Sequence, residues 1–401
     1  MSDFATKLKF KAKALIDKLE FQKIKDSPTI KYYTDWKEFL KYPPEENKIQ
    51  QEVDLEIAGL NNAVKEIKVL NSDVIYPKGY LNGIIVQDIF EYLNGASNNN
   101  GALLTRINES RITALHFSAL QNGVYVKIPK GIKVKNGLRV ILGINLDEEK
   151  LLSQHVIIDV GEYSLVNIEI LNISGISNKA ATSKMIEIIA RKKSEVNIFT
   201  FSSTGDKAPS YFRYDINIHS GSTVNIADLI IGSKMHRNQV NAQLFGNTSE
   251  LNIHNVSYSY WNKKLDYVFD GICKGIGNKI RFESIAAAKD RGYTSIRAIA
   301  RVDKDSKDAE IDIYGRIFKL SKESLAVASP ELEINTGNVQ MARHGVSIAN
   351  ITDDEEFYLA TRGLNSDEAR NLIISEILSR PKRYIPESFI SDLESITNKL
   401  L

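Results

Sequence analysis

The sequence predicts a mainly β protein, built as a stacked solenoid with helical regions at both ends. Three observations carry that reading. From about residue 123 to residue 320, short Val- and Ile-rich runs alternate with breaks of Gly, Asn, Ser and Lys. Inside that region a five-residue pattern recurs: a small or polar residue, any residue, an aliphatic, a polar residue, then an aliphatic or aromatic. It reads Ser164-Leu-Val-Asn-Ile168, Ser194-Glu-Val-Asn-Ile198, Ser222-Thr-Val-Asn-Ile226 and Ser249-Glu-Leu-Asn-Ile253, with weaker copies at Asn278–Phe282 and Ala309–Ile313. Copies begin at residues 164, 194, 222, 249, 278 and 309, so the period stays between 27 and 31 residues. Finally, each copy follows a turn signal: Gly161-Glu162, Lys192-Lys193, Ser220-Gly221, Gly246-Asn247, Gly275–Gly277 or Asp305–Lys307. Strands at a fixed period cannot bury their apolar sides alone, so neighbouring units must stack. Alternation inside each copy places one aliphatic inward and the next residue outward, which sets Asn167, Asn197, Asn225 and Asn252 outward or at a corner. A two-sheet sandwich of hairpins is the alternative arrangement with the same spacing.

The chain divides into an N-terminal, mainly helical region (1–105), a β-helix core (106–350) and a C-terminal helical region (351–401); its 401 residues exceed what one core usually serves. At the start, Phe4, Leu8, Leu15 and Leu19 recur at helical spacing with lysines between them, predicting an amphipathic helix from Ser2 to Leu19. Its basic Lys7–Lys18 face is expected to be solvated rather than a membrane or nucleic-acid contact. A short helix is expected at Asp35–Leu40, stopped by Pro43-Pro44, then strands at Val53–Ile57, Ile67–Leu70 and Gly83–Val86, a helix at Val86–Leu93 and a loop at Asn98–Gly101. Beyond the core, three helices are expected. Asp353–Arg362 carries a capping box (Thr352, Glu355) and a stop at Gly363; a second starts at Asn365 with Glu368 and runs through Leu378; Pro386–Leu400 is the third.

Composition excludes several classes. There are 52 basic and 50 acidic residues, a balance unlike that of a dedicated nucleic-acid binder. No apolar run approaches a membrane span and no secretory leader is present, so a cytoplasmic protein is expected. A single cysteine, Cys273, excludes an internal disulfide framework and any multi-thiolate metal or cluster site made by this chain alone. Set among Ile272, Ile276 and Ile280, Cys273 reads as a small buried apolar residue.

Catalytic constellations are missing. Gly271–Gly277 is Gly-rich but lacks the Lys-Ser/Thr ending of a phosphate loop, and a turn between rungs accounts for it. The histidines are His116, His155, His219, His236, His254 and His344, and none pair at metal-ligand spacing on a helix. A carbohydrate-active solenoid would cluster acids and bases on one face; Asp266, Asp270, Lys274 and Arg281 are the candidates, and a solvated rung face is the simpler account. The chain is read as no enzyme, with no catalytic residue.

Residues 330–363 read PELEINTGNVQMARHGVSIANITDDEEFYLATRG. This resembles the C-terminal signature of the SufB/SufD family of iron–sulfur cluster assembly proteins. Pro330, Leu332, Glu333 and Ile334 match its strand, His344-Gly345 its middle, and Phe357-Tyr358-Leu359 with Arg362-Gly363 its helix end. Upstream, Leu115–Gly131 resembles the family's entry into its β-helix, and Tyr314-Gly-Arg-Ile317 a late rung. The anchors bracket roughly residues 110–380.

The resemblance implies a right-handed parallel β-helix with helical ends. It implies pairing through the β-helices with a SufB-like paralogue, or with a second copy, and docking of a SufC-type ABC ATPase by the C-terminal region. Glu356, Phe357, Tyr358, Arg362 and Gly363 are the implied docking residues, and the ATPase supplies the nucleotide chemistry this chain lacks. Simple capping of the solenoid end is the structural alternative for those helices. The family's cysteine falls at position 342, where this chain has Ala342, while its histidine is kept as His344. The stretch Phe318–Ser329 offers no cysteine either. The pattern is therefore SufD-like. His344 is left as a single iron or cluster ligand at a subunit interface, or as a hydrogen-bonded residue at a rung corner. No cofactor is implied to sit stably on this chain alone; a transient iron–sulfur cluster belongs to the complex. The readings left beside this one are a homodimeric scaffold of the same family, a carbohydrate-active solenoid enzyme and an interaction module without metal chemistry.

Overall fold

In the computed structural model of the chain, which describes residues 3–22, 25–27, 30–49, 53, 64–76, 83–95, 103–175, 177–350 and 361–398, the repeat becomes a β-solenoid of about eight turns. Before it come α1 (Asp3–Lys13), β1 (Lys65–Leu70), β2 (Asp73–Ile75), β3 (Ile85–Asp88), α2 (Ile89–Gly95) and α3 (Arg111–Ser118). Each turn then contributes two strands. In order they are β4 (Leu120–Ile128) and β5 (Lys133–Ile144), β6 (Leu151–Val160) and β7 (Leu165–Ser174), β8 (Ala181–Ala190) and β9 (Glu195–Ser203), β10 (Pro209–Ile218) and β11 (Thr223–Ile231). There follow β12 (Met235–Leu244) and β13 (Glu250–Ser259), β14 (Lys264–Cys273) and β15 (Lys279–Ala288), β16 (Tyr293–Val302) and β17 (Ala309–Lys319), β18 (Leu325–Ile334) and β19 (Val339–Asn350). Even strands stack in parallel into one sheet and odd strands into the other. Among the described residues antiparallel strand pairing, which a sandwich of hairpins would need, is confined to the N-terminal additions: β2 on β1 and β3 on β4.

The five-residue pattern explains itself in three dimensions. Its aliphatics line up across rungs, Val166–Val196–Val224–Leu251–Ile280–Ile311 and Ile168–Ile198–Ile226–Ile253–Phe282–Ile313, all at most 2% exposed. Each such side chain removed from water stabilises the fold by about 1.5–3 kcal/mol. The serine is the corner staple. Ser164, Ser222 and Ser249 are buried, and their hydroxyls donate to the carbonyls of Pro129 (2.7 Å), Arg191 (2.6 Å) and His219 (3.1 Å) on the preceding rung. The residue before it takes left-handed backbone: Tyr163, Lys193, Gly221, Thr248, Gly277 and Asp308 all have φ between 53° and 69°. The asparagines form an outward ladder, with Asn197 donating to Asn167 (3.1 Å), Asn225 to Asn197 (2.7 Å) and Asn252 to Asn225 (2.8 Å). Each amide is both donor and acceptor, so the ladder extends without leaving a group unmet.

The N-terminal region differs in detail from the expectation. Helix α1 ends at Lys13 because Leu15 N–H turns to Ala12 O, an i→i+3 bond that tightens the chain into a 3-10 turn at Ile16–Lys18. The second helix begins at Ile89 rather than Val86, since Val86 pairs with Val126 in β3 and the Asp88 carboxylate accepts from Phe90 N–H (2.7 Å). Helix α3 is unforeseen; its first turn is capped reciprocally by Ser110 and Thr113. The expected strand at Val53–Ile57 lies, Val53 excepted, outside the described residues, and the Asn98–Gly101 loop wholly so.

The C-terminal helices do not close the solenoid end. From β19 the chain turns back, and α4 (Ser366–Ser379) and α5 (Ile390–Asn398) lie along the outer face of the odd sheet. Ile374, Ile377, Leu378, Phe389, Leu393 and Ile396 cover an outward apolar stripe that includes Leu171, Phe199, Leu229 and Ile285. The capping box of Asn365 and Glu368 is present. The expected helix at Asp353–Arg362, with Glu356, Phe357 and Tyr358, lies outside the described residues apart from Thr361 and Arg362.

Candidate functional site

His344 sits on β19, the last strand of the odd sheet. A bulge where β19 joins β17 shifts the register by one residue, after which Ala342 lies opposite Ile311 and His344 opposite Ile313. Both are therefore inward register positions, not corners. They are nevertheless exposed, because β18 and β19 form the end of the stack and among the described residues nothing continues the sheets beyond them. The same end presents Leu325, Ile334 and Ile348, which are 58%, 38% and 46% exposed. Among the described residues the His344 side chain makes no hydrogen bond, and its place is within the strand ladder rather than at a corner.

His344 lines a cleft of about 500 Å³ on the odd face, together with Arg281, Glu283, Asp312, Tyr314 and Arg343. Arg343 donates to Asp312 (2.6 Å). At its far end Glu283 accepts from Tyr384 (3.1 Å) and pairs with His254 Nδ1 (3.1 Å), while the His254 and Tyr384 rings stack at 3.5 Å. The His254 bond holds the Glu283 carboxyl below its ordinary value. Among the described residues no group of three His, Cys, Asp or Glu side chains is placed to hold a metal. Arg362 is exposed, and Gly363 has φ of 87°, the left-handed backbone of a helix stop.

Cys273 points into the solenoid core, and burial pushes its thiol up to about 12, which makes it inert. The polysaccharide candidates are scattered or spent. Asp266 is held by Arg237 (2.9 Å) and Ser295 (2.6 Å), Asp270 by Arg301, and Lys274 by Gln243 (2.7 Å). Arg281 is on the other sheet, paired with Glu250 (2.6 Å).

Two buried networks escaped the sequence reading. Outside the even sheet, His116 Nε2 meets His155 Nδ1 (3.0 Å), and His155 Nε2 lies 3.2 Å from Glu187. These histidines are 39 residues apart, and only the packing of α3 on β6 joins them. Inside the solenoid, Thr200, Asp228, Asn255 and Ser284 align across four rungs, facing Asn238 and Tyr267. Burial raises Asp228 to about 6 and lowers His236 to about 3. Lys184 Nζ, driven far below its usual range by burial, donates to the carbonyls of Leu142 (2.7 Å) and Ile173 (3.0 Å). The available signal was a break in the inward aliphatics: Val224, Ile226, then Asp228; Leu251, Ile253, then Asn255.

Comparison with known proteins comes to the same place. Residues 144–377 match the family described as SUF system FeS cluster assembly, SufBD core domain. The chain is similar to iron–sulfur cluster assembly SufBD family proteins of Staphylococcus saprophyticus (20% identical), Staphylococcus epidermidis (19%) and Staphylococcus aureus (19%). Each match runs over 288 residues, 72% of this chain and 62% of the relative, so the chain spans less than two thirds of the length of these curated relatives.

Proposed function

This chain belongs to the SufBD family of iron–sulfur cluster assembly proteins, and from that premise we propose that it is the SufD-like, non-principal subunit of an assembly scaffold. Its last turn is the pairing surface, and a SufB-like paralogue is its partner. The observation that carries this reading is the open end of the solenoid: two sheet edges that no described residue pairs, with Ala342 and His344 at inward positions of the final strand. An unprotected edge is a template for another chain's strand, and folded proteins seldom leave one bare without use. Ala342 puts no thiolate where the resemblance places the family's cysteine. His344 then supplies a single imidazole to a cluster that the partner mainly holds, and the cluster is cargo of the complex rather than a resident group.

The C-terminal helices dock a SufC-type ATPase in this reading, through the region around Arg362 and Gly363 and the exposed side of α4. Their position against the odd sheet supports it, because a partner gripping α4 and α5 would grip the whole length of the solenoid. ATP-driven closure of the partner would then bear on the scaffold pair rather than on a loose tail.

The test is anaerobic affinity purification of the tagged chain from its own host, with mass spectrometry of co-purifying proteins. An ABC-type ATPase with a cysteine-bearing second solenoid protein is the expected result. In that complex His344→Ala should lower cluster formation while leaving assembly intact. Recovery of the ATPase with a second copy of this chain alone would replace the heterodimer by a homodimer. Recovery of neither would remove the scaffold reading.

A further inference from the structure

The outer face of the even sheet carries a groove of about 170 Å³, closed on one side by the N-terminal segment around Phe21 and Gln22. Three arginines line it, Arg213, Arg237 and Arg297, each only 3% exposed. Two are held by the chain. Arg213 forks Asp215 through Nε and Nη2 (both 2.7 Å) and reaches Glu109 (2.8 Å). Arg237 donates to Asp266 (2.9 Å) and Gln22 (2.7 Å) and lies over the Trp36 ring at 4.4 Å. Arg237 leaves its Nε buried without a hydrogen bond, but in Arg297 both atoms of the Nε/Nη2 edge are buried and have no hydrogen-bond partner. Glu331, one-third exposed, forms an ion pair with it at 3.5 Å from Nε but no hydrogen bond.

Buried charged donors in native proteins are almost always hydrogen-bonded, so a guanidinium edge beside a cavity with an ion pair at 3.5 Å and no hydrogen bond needs an account. Elsewhere in this molecule the same edge takes a carboxylate: Arg191 forks Asp159 at 2.6 and 2.9 Å, as Arg213 forks Asp215. That side-on fork is planar and matches two carboxylate oxygens. We propose that the groove binds a small monoanionic carboxylate through the Nε/Nη2 edge of Arg297. Phe21, Ile112 and Val268 supply an apolar wall for a short carbon chain. Glu109 and Asp270, engaged by Arg213 and Arg301, also border the groove, and their charge disfavours a dianion such as phosphate. The inference is independent of the scaffold reading.

The experiment is calorimetric titration of the full-length chain with acetate, lactate, pyruvate and inorganic phosphate, at fixed pH and ionic strength. At least one carboxylate should bind saturably and more tightly than phosphate. Arg297→Gln should weaken that binding by about tenfold or more. Glu331→Gln should strengthen it, because it removes the carboxylate that competes for the edge. If Arg297→Gln does not fold, Val268→Phe serves instead, filling the groove from the neighbouring strand and abolishing the response. The proposal falls if no carboxylate binds, if Arg297→Gln or Val268→Phe leaves binding unchanged, or if phosphate binds more tightly. It also falls if Glu331→Gln destabilises the fold without strengthening binding, since Glu331 would then be the partner of Arg297.

Discussion

The two ends of the solenoid are finished in opposite ways. At the first turn the chain spends its own residues on closure: β1 and β2 continue the odd sheet, and β3 crosses the edge of the even sheet antiparallel to β4. Ile67 and Val69 of β1 are wholly buried there. At the last turn the equivalent inward positions, Ala342, His344 and Ile348, are exposed. A stack with two bare ends would grow into a fibre; among the described residues only one end here is bare. The asymmetry teaches that burial at one end of a stack does not carry over to the other.

The comparison can be broken most forcefully at the closed end. Val69→Asp places an unpartnered charge in the core and should cost about 4 kcal/mol or more, read from urea unfolding. A mild effect would mean that β1 is only loosely attached. Next is the tie between the first turn and the C-terminus. Arg139, Glu169 and Asp392 are fully buried together; Arg139 bonds both acids and reaches Glu66 (2.8 Å). Arg139→Met strands two acids and should cost about 3 kcal/mol, with α5 losing hydrogen-exchange protection before the solenoid does.

A pH series separates the closed end from the middle. Burial, then the charges of His155 and Arg213, hold His116 well below its ordinary value, and burial lowers His236 to about 3. The unfolded chain takes up protons near pH 6.5 that these rings refuse when folded. Stability is therefore full above pH 6.5 and falls below it, by up to about 1.4 kcal/mol per pH unit for each histidine. His116→Gln should flatten part of that slope under the N-terminal helices, and His236→Leu should flatten part of it in the mid-solenoid. A slope untouched by both would point to other groups. Asn225→Ala should cost about 1 kcal/mol, two ladder bonds lost at a half-buried site, with no change in assembly. The smallest effect belongs to the open end: Ile348→Asp should shift unfolding by less than about 0.5 kcal/mol yet abolish pairing in light scattering of the reconstituted complex. Equal destabilisation by Ile348→Asp and Val69→Asp would erase the distinction between the ends.

The solenoid was legible because each part of its repeat has one physical duty. Aliphatics fill the rung, serine staples the corner and asparagine ladders outward, so all three recur at the rung period. Helix α3 was not, because Ile112 to Ser118 are all buried and no polar stripe marks the helical period. The course of α4 and α5 was hidden for a related reason. Periodicity tells that Leu393 and Ile396 share an apolar face, but not that the face meets the side of the odd sheet rather than its end. At the candidate site the residue types could be read and the placement could not: one bulge in β19 decides which way His344 faces. The arginine groove was beyond reach, since Arg213, Arg237 and Arg297 come together only through strand register.

Most solenoids are quasi-one-dimensional: a turn knows only its neighbours, and unfolding can fray inward from either end. Here the chain leaves the stack at β19 and returns along its flank until Asp392 of α5 is bonded to Arg139 in β5 of the first turn. Loss of the last turns would slacken those returning helices, and loss of the first turn would release their anchor. The returning helices thus couple turns that never touch, and a stack tied in this way is expected to unfold more as one unit than as a zipper.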